Sequence, residues 1–272
     1  MTHAPHHRIH TIRYARHERP ARENFLGGGA DDHAAMMPLD YFVWVIEHDD
    51  MAPLLVDTGF GAEAAARRGR TMIRPVEDGL RAIGIDPASV EDVILTHLHY
   101  DHAGSLGLFP NARFHVQDRE MAFATGRAMT HGHVRAPFDA GPVAEMVHLL
   151  FGDRLVFHDG DAAVAPGVSL RLLPGHTAGL QAVEVSTARG PVILASDVAH
   201  LYANLLRETP FPIVVDVPAY LAAHARLRAL VPGLDHIIPG HDPLVLAAFP
   251  AGEAPDVARV DLPPRKPIGD FD

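Results

Sequence analysis

The sequence predicts an α/β domain of four layers, helix–sheet–sheet–helix, built as one unit from two similar halves. Three observations predict it. Short β-rich apolar runs recur from one end of the chain to the other. Helical segments follow them in two groups, so the order is strands, helices, strands, helices. At 272 residues the chain can bury a large core, and no internal repeat or long linker divides it.

Residues 8–14 (RIHTIRY) alternate as a strand does. Residues 41–47 (YFVWVIE) and 53–57 (PLLVD) supply the next two strands, joined by the acidic turn His48-Asp49-Asp50. DTGFG at 57–61 ends a strand sharply and opens a helix. Residues 75–84 (PVEDGLRAIG) carry Pro at the start and Gly at the end of a helix. VEDVIL at 90–95 and FHV at 114–116 read as strands, and 118–124 and 142–150 as helices. Between those helices, TGRAMTHGHVRAPFDAG reads as a long loop. The second half offers strands at 154–157, 168–173, 180–186 and 191–196, a helix at 218–230 and a short strand at 235–238. The domain is assigned to residues 1–250. The Pro-rich, charged tail 251–272 is expected to wrap the surface or fray.

Bulk properties exclude several function classes. The formal charge of −11 repels phosphate backbones and anionic lipid, so neither nucleic acid nor a membrane is expected as a partner. The absence of cysteine removes disulfides, thiolate metal sites and cysteine nucleophiles. The first twenty residues lack the apolar core of a secretion signal, and no apolar run reaches membrane-spanning length. A cytoplasmic protein is expected. The 20 histidines are the outlying count.

Four ligand-type side chains crowd into ILTHLHYDHAG at 94–104, directly after an apolar run. In extended chain, residues i and i+2 point the same way, so His97 and His99 can reach one point. Asp101 and His102 follow where the backbone begins to turn and need not share it. Such a cluster suits two adjacent metals, and imidazole with carboxylate suits zinc, iron, manganese or cobalt. Four ligands do not saturate two metals. Three more candidates directly follow buried-looking strands: His176 in LLPGHTAG, Asp197 in VILASD and His241 in HIIPGHD.

HLHYDH, GHTAG, the SD strand end and PGHD, in that order over residues 97–241, resemble the metallo-β-lactamase superfamily. The resemblance implies an αββα metallo-β-lactamase-type sandwich with two divalent metal ions at one edge of its sheets. His97, His99 and His176 would bind the first metal. Asp101, His102 and His241 would bind the second, and Asp197 would bridge them. Asp57, in VDTG, resembles an aspartate that orients a ligand from behind.

Within the superfamily, exported class B β-lactamases often use a cysteine ligand, which this chain lacks. RNA-processing nucleases favour basic surfaces. Flavodiiron-type proteins place a glutamate where this chain has His99. HLHYDHAG, PGHTAGLQ, the long segment before Tyr41 and the ending HIIPGHDPLVLAAFP are most similar to N-acyl-homoserine lactonases. That resemblance implies hydrolytic opening of a lactone ring by a metal-bridging hydroxide, with Asp101 relaying the proton to the leaving alkoxide. It also implies a homodimer. A thioesterase or general esterase, sharing the ligand set, and a diiron redox protein are the alternative readings.

One position departs from the pattern. Those lactonases carry a tyrosine three residues after the bridging aspartate, and here that residue is His200 in SDVAHLYAN. His200, ahead of Tyr202 by register, is the candidate donor to the oxyanion. This departure keeps a wider class of lactones and esters open.

Other features carry plainer expectations. Asp57 before Thr-Gly also suits a turn or a helix cap. His131 and His133 are expected on a surface loop ahead of the alternative that they line the pocket, His3, His6 and His7 in solvent, and Trp44 in the core. By the resemblance to lactonases, Phe25, Leu26, Met36 and Met37 would contact an acyl chain; simple packing or a dimer contact is the equal alternative.

Overall fold

The computed structural model describes residues 6–28 and 35–269. Its strands are β1 (Arg8–His17), β2 (Leu39–His48), β3 (Met51–Val56), β4 (Thr71–Met72), β5 (Asp92–Ile94), β6 (Arg113–Gln117) and β7 (Leu155–His158), followed by β8 (Ala162–Ala165), β9 (Val168–Leu172), β10 (Gln181–Thr187), β11 (Gly190–Ser196), β12 (Ile237–Pro239) and β13 (Val257–Arg259). The first sheet runs β13-β1-β2-β3-β5-β6-β7, with β4 also paired to β1. The second runs β12-β11-β10-β9-β8.

Period-two alternation decides the layers. Along β2, Phe42, Trp44 and Ile46 face the second sheet and pack with Leu170, Val183, Val185, Val192 and Leu194. Tyr41, Val43 and Val45 face the opposite way, toward Leu80, Met146 and Leu149 of the covering helices. The second sheet repeats the arrangement. Ile193, Ala195 and Ile237 pack outward against Ala223 and Leu227 of the helix Val217–Ala229. Both sheets are thus covered on both faces, and the predicted αββα order holds. Among the described residues no helix is long and apolar enough to cross a membrane.

Several local expectations change. The segment expected as one long loop contains a 3-10 turn at Arg127–Thr130 and a helical turn at Gly132–Arg135. Much of the tail is ordered onto the sheet: β13 pairs antiparallel with β1, and Val257, Ala258 and Val260 are buried. Val257 packs on one face of the sheet and Ala258 and Val260 on the other, enough to complete an edge that would otherwise expose the backbone groups of β1. His7 is buried, not in solvent, with Nε2 2.8 Å from the Pro166 carbonyl. His6 is exposed as expected, while His3 lies outside the described residues. Trp44 is in the core.

Parallel pairing positions the site. β3 and β5 run parallel, with Val56 opposite Ile94, and β11 and β12 run parallel, with Ser196 opposite Pro239. β9 is antiparallel to β10, which is antiparallel to β11, so β9 ends at the same edge as β11. Asp57, the 97–102 motif, His176, Asp197 and His241 all follow these ends.

Candidate metal centre

The backbone at this edge is held in conformations that few residues adopt. Asp57 and Ser196 have φ of 63° and 47°. Such left-handed backbone is unfavourable outside glycine and persists only where contacts over-determine it. Asp57 has those contacts. Its Oδ1 accepts from the Thr96 amide, and its Oδ2 accepts from the Thr96 hydroxyl, each at 2.8 Å. The Thr96 hydroxyl also lies 2.9 Å from Ser196 Oγ, which ties the two sheets together beneath the site. Gly240 permits a close approach: a Cβ there would lie 2.8 Å from Asp197 Oδ1 and from the Ser196 carbonyl carbon.

The seven proposed ligands converge and are all buried or nearly so. One donor from each of His97, His99, His176 and Asp197 lies within 4.8 Å of the others; Asp101, His102 and His241 make a second such group. Asp197 stands between them. Its Oδ2 is 3.0 Å from His176 Nε2 and 3.7 Å from His97 Nε2. Its Oδ1 is 3.0 Å from His241 Nε2 and 3.2 Å from His102 Nε2. Asp101 Oδ2 lies 3.9 Å from both His102 Nε2 and His241 Nε2.

The inward atoms are short of partners while the outward ones are satisfied. His97 Nε2, His102 Nε2 and Asp197 Oδ1 are buried with no hydrogen bond of acceptable geometry. Leaving such atoms unsatisfied is costly, so a cation at their focus fits them. On the far side, His102 Nδ1 is 2.7 Å from Asp57 Oδ2, and His176 Nδ1 is 2.6 Å from the Ile213 carbonyl. His241 Nδ1 is 3.0 Å from the Asp40 carbonyl. Outer acceptors of this kind place the proton on the far nitrogen and turn the other toward a metal. Asp57 therefore does what the sequence suggested.

Electrostatics agree with a cation site. Burial, helped by neighbouring imidazoles, pushes His97 and His99 well below the usual histidine range, toward the neutral ligand form. Burial also lowers His102, but Asp197, Asp57 and Asp101 outweigh it and hold that group up. Burial would raise Asp197, yet the surrounding histidines keep its carboxylate well below the usual range. The carboxylates give the pocket a negative potential that divalent cations match.

Of the two candidate oxyanion donors, one reaches this place. His200 stacks on Phe211, with centroids 3.7 Å apart and planes at 7°. Its Nε2 is 3.0 Å from Asp197 Oδ2. Burial pushes it down to about 3, so it is neutral near pH 7. Tyr202 does not reach the site. Its ring lies in the apolar layer between the sheets, and its hydroxyl donates to the Ile237 carbonyl at 2.8 Å. The chain turns after Asp197, and Tyr202 opens the helix Tyr202–Leu206 on the opposite side. Tyr202→Phe is expected to keep wild-type turnover and to lower stability by about 1 kcal/mol. Denaturant unfolding and initial rates check this.

Other residues had no motif to announce them. Glu120 is fully buried and braces the two ligand loops. Its Oε1 accepts from the Leu98 amide at 2.9 Å, and its Oε2 from the Thr177 hydroxyl at 2.6 Å and the Gly179 amide at 3.0 Å. The signal for it was a lone acid in an otherwise apolar stretch, EMAFA. Tyr14 donates to the Asp101 carbonyl at 2.9 Å. A cavity of about 40 Å³ at the ligands is walled by Tyr41, Phe211 and two arginines, among others. A cleft of about 480 Å³ beside it takes in Phe123, Val214 and His133. His133 thus lines the cleft, the less favoured of the two readings of its sequence. Met37 packs beside Phe211, Leu39 and Leu201, whereas Met36 and Leu26 are exposed. Phe25 is buried with the Arg207 guanidinium over its ring.

The profile of the metallo-beta-lactamase superfamily matches residues 37–241, three quarters of the chain. The chain belongs to the metallo-beta-lactamase superfamily. Within it, the chain is similar to an N-acyl homoserine lactonase of Bacillus thuringiensis, 29% identical over 223 residues, which are 76% of this chain and 83% of that one. Among solved structures of the superfamily, a quorum-quenching N-acyl homoserine lactone lactonase superposes with a TM-score of 0.70 at 27% identity, covering 90% of this chain and 95% of that one. An N-acyl homoserine lactone hydrolase with N-hexanoyl-L-homoserine bound at its catalytic metal centre gives 0.69 at 26% identity, covering 89% and 94%.

Proposed function

We propose that this protein is a dinuclear metal-dependent hydrolase that opens a lactone ring, with N-acyl homoserine lactones as the substrate class. The observation that carries the reading is the division of Asp197, whose two oxygens face two separate ligand groups. Similarity to lactonases over most of the chain supports the same reaction.

His97, His99 and His176 would hold one ion and Asp101, His102 and His241 the other, with Asp197 shared. The all-nitrogen-and-oxygen donor set favours zinc and admits iron, manganese or cobalt. Two divalent cations there supply hydroxide from water at neutral pH and polarise the carbonyl to be attacked. Asp101 retains some solvent access, so it can take a proton and pass it to the leaving alkoxide. His200 is the member of the candidate pair that lies at the site; being neutral it has one N–H, which faces Asp197, and it would steady the oxyanion by turning that hydrogen bond from Asp197 to the substrate. A cytoplasmic location and a homodimer belong to the same reading and rest on sequence alone.

The test is a substrate panel on protein of measured metal content. N-acyl homoserine lactones of varied acyl length are expected to turn over faster than linear esters and glutathione thioesters. Preference for a thioester would move the assignment to a thioesterase. Metal-loaded protein inert to all of them would end the hydrolase reading.

A further inference from the structure

Two arginines from outside every motif stand at the mouth of the site. Arg19 and Arg70 wall the same small cavity as His99, Asp101, Asp197 and His200. Arg70 also lines the neighbouring cleft. They come from separate segments: Arg19 follows β1, and Arg70 immediately precedes β4.

Arg70 is held rigidly by neutral partners. Its Nε donates to the Tyr100 hydroxyl at 3.1 Å and its Nη1 to the Arg68 carbonyl at 2.6 Å, with His17 Nε2 3.2 Å from Nη1. Among the described residues no carboxylate forms an ion pair with it; the acid whose field reaches it is Asp101, already engaged at the metal centre. Arg19 is only partly neutralised. Its Nη2 donates to the Glu23 carbonyl at 2.6 Å, the Glu23 carboxylate is 3.6 Å away, and its Nε is buried without a hydrogen-bond partner. Its guanidinium lies over the Phe211 ring. His17 beside them is pushed down to about 4 by burial and by both guanidinium groups, so it adds no charge near pH 7.

The two arginines repel each other and pay desolvation, and a protein of net charge −11 has no shortage of acids with which to neutralise them. Instead they flank a cavity that opens on the reacting centre. With Nε and Nη1 of Arg70 engaged, its Nη2 is the nitrogen left to a carboxylate, and Arg19 offers Nη1 beside it.

We propose that Arg19 and Arg70 form a subsite for an anionic substituent, so that the preferred substrate is an acidic lactone or ester carrying a carboxylate beyond the carbonyl that is cleaved. The inference rests on the hydrolase reading and changes its substrate class: N-acyl homoserine lactones are neutral, whereas the preferred substrate here carries a carboxylate besides the carbonyl that is cleaved. The reaction is hydrolysis throughout. Water adds to the acyl carbon, the acyl carbon–oxygen bond breaks, and the alkoxide takes the proton. The anionic substituent is unchanged.

The test compares a γ-butyrolactone bearing a carboxylate with its neutral carboxamide. The wild type is expected to favour the acid by about tenfold or more in kcat/KM. Arg70→Ala is expected to bring that ratio close to one, and Arg70→Lys, which keeps the charge but loses the hydrogen bonds that hold the guanidinium in place, to retain part of it. A readout free of turnover is glutarate binding to metal-loaded protein by calorimetry, expected to weaken about tenfold to a hundredfold in Arg70→Ala. A wild-type ratio near one, an equal loss on both lactones in the variant, or unchanged glutarate binding would overturn the proposal. If no lactone or ester turns over while glutarate binding still depends on Arg70, the hydrolase reading fails and the anion subsite stands.

Discussion

Asp197→Ala is expected to lower lactone turnover by about 10³-fold or more and to reduce bound metal, while the far-ultraviolet circular dichroism stays native. The side chain faces His97, His176 and His200 with one oxygen and His102 and His241 with the other. Its removal takes away the one ligand shared by both ion positions. It also leaves six imidazoles around a cavity with Asp101 as the one carboxylate among the candidate ligands to balance a cation. A 10³-fold loss corresponds to about 4 kcal/mol of transition-state stabilisation, within the range attributed to metal polarisation and positioning. Asp197→Asn preserves size and removes the charge, so it isolates the electrostatic part. Retention of turnover within tenfold of wild type in the alanine variant would show that Asp197 does not join two ions.

Chelation is expected to abolish turnover completely, and zinc added back should restore it at about two ions per chain. The cause lies in the buried donors. His97 Nε2, His102 Nε2 and Asp197 Oδ1 have no hydrogen-bond partner of acceptable geometry. Metal binding satisfies them only in the folded state, so it also raises stability by mass action, by about 3–4 kcal/mol at a hundredfold to thousandfold excess over Kd. The thermal midpoint should therefore fall on chelation and recover with activity. Elemental analysis and a melting curve on the same sample check both. Full turnover after exhaustive metal removal would contradict the site as a metal centre.

The convergence of the proposed metal ligands was readable because their information is local. Spacing within HLHYDH places His97 and His99 on one side of an extended segment, and His176, Asp197 and His241 each follow an apolar strand. A strand end is a fixed point in a layered fold, so ligand-type residues there point toward a common edge. Asp57 was readable for the same reason. The roles of His200 and Tyr202 were less so, since they depend on how tightly the chain turns after Asp197. The turn puts His200 against Phe211 and carries Tyr202 into the layer between the sheets. His7 was misjudged because its burial depends on Pro166 and Ser186, far away in sequence, and the order of the tail depends on β1, with which β13 pairs.

By itself the sequence determined the four-layer order, the edge that carries the site and the seven candidate donors that meet there, because period-two alternation and strand-end position are properties of neighbouring residues. The tertiary structure alone decided what surrounds them. Glu120 reaches Thr177 across 57 positions, Thr96 reaches Ser196 across 100, and Arg19 and Arg70 meet at one cavity from separate segments. Such contacts leave no local pattern, since each depends on loop closure and the packing of two sheets.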